Sequence, residues 1–581
     1  MKKYKIPIFI FALALLPLIC NAQVKGKLLN KYFSPKEYNG STQNWAITSD
    51  NDGLMYFGNH EGVLEYDGNN WRKIEIPNKS TVRSLGKTKS GRILVGAVGE
   101  MGYLSPNKIG SLKFVSIKPY IDTNHIDFAD IWSIQSTHDG DYYLTDNYLY
   151  RFHNKKFKVW EKHGAYFYLC FAINDELYIY EVGTGLQKVV NDSLVLLPKG
   201  DFFADKKIHA LLPFENKLLA FTRSNGLYVY DPTNKDNPII SYSDISEKTK
   251  QINDFFIKNT VYSGVNILSD IFAISTLRSG AIIFNYEGKI IDIINNETSG
   301  TSSQIYTLFF NVDGNLWLGL DNGIQKIELS SPFRFWDKTS GITGSVNNIT
   351  TLKNIIYFAT GTGLFKINIL ENKNNIDITS ISSIEGISEQ VMSFLLFNPT
   401  IGNKNNSINN KSAELINSLN LKDTTLLVGT SKGLYAIIGD KAQLLTDFKG
   451  TIYLYQSEFN PTIIYLGLDN GIAYITYNKG KWFFKGYIGK IVDQIKSISE
   501  DSKGNLWLAA NYKGIYKVTF DKYLISNDSH IDRTPTKIEF YDNSFGIPNM
   551  ADVLIYKLKN QNKFYSKDVL AEFKSQMQLF G

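Results

Sequence analysis

Six residues in this chain stand where loops lead into apolar strands and carry side chains able to hold a ligand. They are Asn44 and Trp45 in QNW, Arg83 in TVR, Asp130 and Trp132 in DIW, and His209 in KIH. A Trp face can stack on a sugar ring, while Arg and Asp fix orientation through charge-assisted hydrogen bonds. Arg83 lies between Val82 and Ser84, where a guanidinium is awkward to bury without a partner. Trp45 and Trp132 also suit plain packing between sheets. The chemistry these residues suggest is recognition, with no catalytic residue among them.

Other chemistries find less support. The seven His residues show no His-x-x-x-His spacing, and only His125 and Asp127 form a short pair, so no metal site and no cofactor is expected. Asp50-Asn51-Asp52-Gly53 lacks the flanking ligands of a calcium loop. Gly361-Thr362-Gly363 joins two strands and opens no helix, which makes it a hairpin and not a phosphate loop. No Gly-x-Ser-x-Gly nucleophile elbow occurs.

The elements that must position these residues follow from a repeated phrase. A strand ending in Gly or Ala, a polar turn and Gly-Leu/Ile recur in LMYFGNHEGVLEYD, NLWLGLDNGIQKI, LLVGTSKGLYAI and NLWLAANYKGIYKV. Aligned on the second Gly, the units fall at Gly62, Gly102, Gly185, Gly226, Gly280, Gly323, Gly363, Gly433, Gly471 and Gly514, with Tyr148 in that place in a degenerate unit. A period of roughly 40 residues built from four short strands denotes propeller blades. The fold class expected is all-β, a tandem of β-propellers.

Seven units up to Gly323 can close a ring over residues 24–331, and Ser330-Ser331-Pro332 breaks the pattern. Residues 332–560 hold about five units, an incomplete second propeller with an Asn/Ser-rich loop insertion at 398–425. Residues 561–581 read as an atypical, helix-like tail. Such an unfinished ring suggests a truncated chain, or one closed by something else.

The 581 residues are too many for one ordinary core. Abundant Tyr and Phe (35 and 36) suit pleated strands. The formal charge of +6 draws three of its positive charges from Lys2, Lys3 and Lys5. What remains is too little for a polyanion surface, and no nucleic-acid binding is expected. Those lysines, the apolar run IPIFIFALALLPLIC and Asn21-Ala22-Gln23 read as a signal peptide over residues 1–22. Export follows, with the periplasm the expected compartment; a lipoprotein anchored at Cys20 in the outer membrane, or a secreted protein, is the alternative. Cys170 in AYFYLCFAI reads as a buried small hydrophobe.

The phrases EYNGSTQNWAITSDNDGLMYFGNHEGVLEYDGNNW, TVRSLGKTKSGRILVGAVGEMGYL and EDSKGNLWLAANYKGIYKV resemble the two-component-regulator propeller repeats. These form the periplasmic sensors of hybrid two-component systems and related triple-tyrosine-motif regulators of Bacteroidetes. The resemblance spans about residues 30–550. It implies a ligand sensor of a signal-transduction receptor, with carbohydrate as a ligand class. Members carry two seven-bladed propellers, a small sandwich, a membrane helix and an output domain; no counterpart of the last three is read here. The expected partner is a small molecule or oligosaccharide. A homodimer through the propellers is compatible with this plan, and membrane attachment would need a further C-terminal region or an uncleaved N-terminal segment.

Two alternatives accompany this reading. One is a secreted or surface scaffold binding glycan or protein. The other is a propeller lyase or hydrolase, although Ser499 to Trp507 has one residue too many for a sialidase-like box, and Asp313 to Trp317 is a strand-and-turn signal shared with streptogramin-lyase-like propellers. No enzymatic activity is expected in this chain.

Overall fold

The computed structural model describes residues 26–234, 236–301, 304–372, 375–378, 381–399, 424–520, 533–545, 555–557 and 564–566. The expected signal peptide at 1–22, most of the expected 398–425 insertion and all but 564–566 of the expected 561–581 tail lie outside the described residues. The chain divides into two compact units, Gly26–Phe335 and Trp336–Gly581.

The first unit is a series of seven four-stranded antiparallel sheets. Blade 1 runs Asn44–Ser49, Met55–Asn59, Gly62–Tyr66 and Trp71–Ile74. Blade 2 begins at Val82–Lys87, blade 3 at Ser133–Thr137, blade 4 at Tyr166–Ile173, blade 5 at Ile208–Phe214, blade 6 at Val261–Asn266 and blade 7 at Ile305–Phe310. Blade 3 is the degenerate unit, and Tyr148–His153 is its third strand.

Blade 7 takes its fourth strand from the start of the unit. Asn30–Phe33 pairs with Ile324–Glu328, Phe33 opposite Ile324, so the two ends of the ring are laced together by backbone hydrogen bonds. Lys27–Leu28 likewise pairs with Arg334–Phe335. That lacing was not anticipated from the repeat, because NKYF carries no glycine turn. The expected break at Pro332 lies just before this last pairing.

Apolar alternation on each strand buries its two faces against two neighbours. Seven clusters of buried side chains result, one between each adjacent pair of blades. The junction of blades 7 and 1 gathers Phe33, Phe57, Tyr66 and Trp317, with Trp317 stacked on Phe33 at 5.8 Å between ring centroids.

The glycine ending many second strands permits close approach of the next blade. A Cβ on Gly96 would lie 2.5 Å from both Ile131 Cγ2 and Ser84 Oγ, and one on Gly319 2.7 Å from the Asn44 carbonyl oxygen. Asp residues close the hairpin turns. Asp50 Oδ1 accepts from the Asp52 and Leu54 N–H groups, and Asp501 Oδ1 from Lys503 and Asn505, which is the Asx-turn role of such residues.

The second unit holds four larger sheets among its described residues, beginning at Val346–Leu352, Val391–Phe397, Thr451–Gln456 and Ile495–Glu500. Three clusters fill the spaces between successive sheets. The insertion separates the first strand of the second sheet from Thr425–Thr430. Where a fifth unit was expected, Ile555–Lys557 pairs with Phe564–Ser566.

Candidate functional site

Each first-unit blade sends its first strand toward a shared cavity of about 630 Å³. In six blades that strand carries a register shift at its second residue or, in blade 4, its third. The extra residue is Trp45, Arg83, Tyr168, His209, Tyr262 or Tyr306. A β-bulge leaves one residue outside the ladder and re-aims its side chain, and all six of these line the cavity. Blade 3 supplies Trp132, the residue before its first strand, with its backbone N–H donating to the Leu144 carbonyl at 2.9 Å. From these seven positions, six aromatic or imidazole rings and the Arg83 guanidinium reach the cavity.

Their contacts are continuous around one side. Trp45 stacks on Tyr306 with centroids 4.5 Å apart and planes 2° from parallel. The Arg83 guanidinium lies 4.2 Å from the Trp45 ring centroid and 5.4 Å from that of Trp132. Its Nε donates to Asp130 Oδ1 at 2.8 Å. Both side chains are about one-fifth exposed, so the ion pair is shielded and the charge is spent on holding two indoles in place. Trp132 is 38 % exposed, a large ring left open to the cavity.

Across the ring, His209 Nδ1 lies 2.9 Å from the Tyr262 carbonyl oxygen, which can only accept, so Nδ1 carries the proton. His209 Nε2 then accepts from the Tyr168 hydroxyl at 2.9 Å. Burial pushes the His209 pKa down to about 4, with Arg223 and Lys207 adding to the effect. His209 is a neutral, doubly hydrogen-bonded ring at neutral pH. Tyr306 donates to Asp321, which also accepts from Gln43.

The structure thus brings Trp45, Arg83, Trp132 and His209 to one cavity, with Asp130 behind Arg83. It does not bring Asn44 there. Asn44 is fully buried, donating to the Gly323 carbonyl at 2.9 Å and accepting from Asn59 Nδ2 at 2.9 Å. Its side chain stitches blade 7 to blade 1 and has no face toward a ligand, a correction to its reading as a binding residue. His125 Nδ1 meets Asp122 at 2.8 Å and Nε2 meets Glu161 at 3.4 Å. Cys170 is buried at the cavity wall, its thiol pushed up to about 12.

Tyr168, Tyr262, Tyr306 and Arg223 also line the cavity and were not singled out from the sequence. A signal for five of the six bulge positions was present. A buried residue, a bulky one and a small one recur as Asn44-Trp45-Ala46, Val82-Arg83-Ser84, Ile208-His209-Ala210, Val261-Tyr262-Ser263 and Ile305-Tyr306-Thr307.

Among the described residues no cluster of three or more His, Cys, Asp or Glu side chains could hold a metal, and no helix is long and apolar enough to cross a membrane. Fold and cavity together define a propeller with a preformed, aromatic-lined recess.

No family model matches the chain, and no curated protein matches its sequence. Among solved structures, it is similar to the extracellular domain assigned to hybrid two-component system BT3049 from B. thetaiotaomicron. The alignment has a TM-score of 0.61 and 16 % identity, and covers 91 % of this chain and 68 % of that one. The extracellular domain assigned to hybrid two-component system BT4673 of the same organism aligns with a TM-score of 0.40 and 14 % identity, over 85 % of this chain and 66 % of that one. Virginiamycin B lyase from Staphylococcus aureus aligns with a TM-score of 0.41 and 12 % identity, over 52 % and 100 % of the two chains. Scores at the level of the last two carry no functional argument. The chain spans about two thirds of each of the two extracellular domains. The first alignment shows the all-β propeller fold and agrees with the resemblance of the repeats to two-component-regulator propellers.

Proposed function

We propose that this chain is the exported, ligand-sensing region of a signal-transduction receptor, and that its ligand, a small molecule or oligosaccharide, enters the cavity of the Gly26–Phe335 unit. The observation that carries this reading is the ring of bulge residues. A cavity of about 630 Å³ falls within the range of small-ligand sites, which are mostly apolar with a few fixed polar groups. Open Trp132 offers a face for a sugar ring, Trp45 is held between Tyr306 and Arg83 and presents its edge, and Arg83–Asp130 offers a fixed polar group. The fold shared with the sensor domain supports a receptor role. Periplasmic location rests on the N-terminal leader and on that same fold.

The test is calorimetric titration of the full chain with a panel of oligosaccharides. A ligand of the cavity is bound by the wild type and at least about 10-fold more weakly by Trp132→Ala, which removes the open ring, and by Trp45→Ala, which removes the support of Arg83 and Tyr306. Truncating an aromatic anchor in a site costs about 2 kcal/mol. A ligand bound equally well by Trp45→Ala and Trp132→Ala would place recognition elsewhere.

A further inference from the structure

The charges around the cavity are segregated, and only those on one side lack a partner. Asp130 is held by Arg83, and Asp321 accepts from Gln43 and Tyr306. Asp146 lies against Trp132, with burial raising its pKa and the indole N–H lowering it. These carboxylates belong to the blade 3 and blade 7 sides.

Blade 5 carries cations instead. Arg223 directly follows the strand Lys217–Thr222, and Lys207 directly precedes Ile208–Phe214. The Arg223 N–H donates to the Lys207 carbonyl at 2.7 Å, and the Arg223 carbonyl accepts from the Val261 N–H at 2.9 Å. The backbone that presents Arg223 is thereby tied to the first strands of blades 5 and 6, while its side chain is exposed at the cavity wall. Lys207 does not itself line the cavity; its Nζ lies 5.4 Å from the ring centroids of both Tyr166 and Tyr168, which do. Among the described residues neither cation has a carboxylate within ion-pair distance or a side-chain hydrogen bond. His209 beside them is neutral, and burial raises the Tyr168 and Tyr262 hydroxyls above their ordinary range.

Two adjacent cations on a fixed backbone, beside aromatic faces and without a counter-ion, form an unmatched half of a recognition site. Resting on the reading of this cavity as the ligand site, we propose that it selects an anionic saccharide, whose carboxylate or sulfate group is held by Arg223 in the positive field of Lys207 behind the tyrosines, while its rings lie against those tyrosines. A guanidinium matches either oxyanion through two parallel N–H donors.

The probes are matched pairs: uronate oligosaccharides with their methyl esters, and sulfated oligosaccharides with their desulfated forms. Each is titrated into the full-length wild type, Arg223→Ala, Lys207→Ala and Trp45→Ala. The proposal expects the acidic member of a pair to bind and its neutral counterpart to bind about 10- to 100-fold more weakly. Arg223→Ala should remove most of that preference with an unchanged melting temperature, because its side chain is exposed. Loss with uronates but not sulfates, or the reverse, identifies which oxyanion is read. Equal binding of both members, lost in Trp45→Ala and unaffected by Arg223→Ala, keeps the cavity as the site and overturns the anion selection. Binding of no probe, or binding indifferent to all three variants, overturns both.

Discussion

The two units use the same strand device to present different side chains. All four larger sheets among the described residues of the second unit carry a register shift in the first strand, at Asn347, Met392, Ile452 and Lys496. The first unit puts Trp45, Arg83, Tyr168, His209, Tyr262 and Tyr306 in those places. The bulge is therefore a property of the blade, and recognition is a property of what occupies it. In the second unit Asn347 donates to the Val391 carbonyl and Lys496 sits over Tyr512, contacts that join neighbouring elements. The packing differs too. Val346 at the start of the first second-unit sheet is 46 % exposed, whereas Val391, its counterpart in the next sheet, is fully buried. In the first unit every blade has a neighbour on both sides.

The largest effect that sharpens this contrast comes from one Trp in two copies of the same phrase, Gly-Asn-Leu-Trp. Trp317 sits among Phe33, Phe57 and Tyr66 where the ring closes. Trp507 stacks at 6.0 Å on Tyr541 and donates to Asp501. Trp317→Ala should cost about 4 to 5 kcal/mol and Trp507→Ala about 3 kcal/mol, measured by urea unfolding. Equal costs would mean that closure of the first ring adds no packing.

A smaller effect follows from His209. Its folded pKa, about 4, lies below the ordinary value near 6.5. Between those values the unfolded chain binds the proton and the folded one does not, so stability is full above about pH 6.5 and falls as pH drops toward 4. The expected loss by pH 4.5 is about 2.5 kcal/mol. His209→Gln, which keeps a donor and an acceptor but cannot titrate, should lose correspondingly less over the same range. An identical pH profile in that variant would show that His209 is not the buried neutral ring described here.

The repeat made the architecture legible because each blade repeats the same local demands: a turn glycine, an alternating strand and a small residue where the next blade approaches. Closure was not legible, since Asn30–Phe33 joins blade 7 across nearly three hundred residues and nothing local marks it. Within the site, Trp45, Arg83 and His209 stood out because their types are unusual at strand starts. Tyr168, Tyr262 and Tyr306 did not, because Tyr is common in this chain and suits a core strand equally well. Asn44 was misread for the complementary reason. Its polarity suggested a loop entry, and only the position of Gly323 in space shows that it is consumed by hydrogen bonds.

The central claim, that ligand chemistry resides in the bulge ring of the first unit, is tested most directly by binding with paired substitutions at equivalent positions. The saccharide bound by the full chain would be titrated into Trp45→Ala and Tyr306→Ala, and into Met392→Ala and Lys496→Ala. The account predicts affinity reduced at least about 10-fold in the first pair and unchanged in the second. Loss in the second pair with wild-type affinity in the first would contradict it.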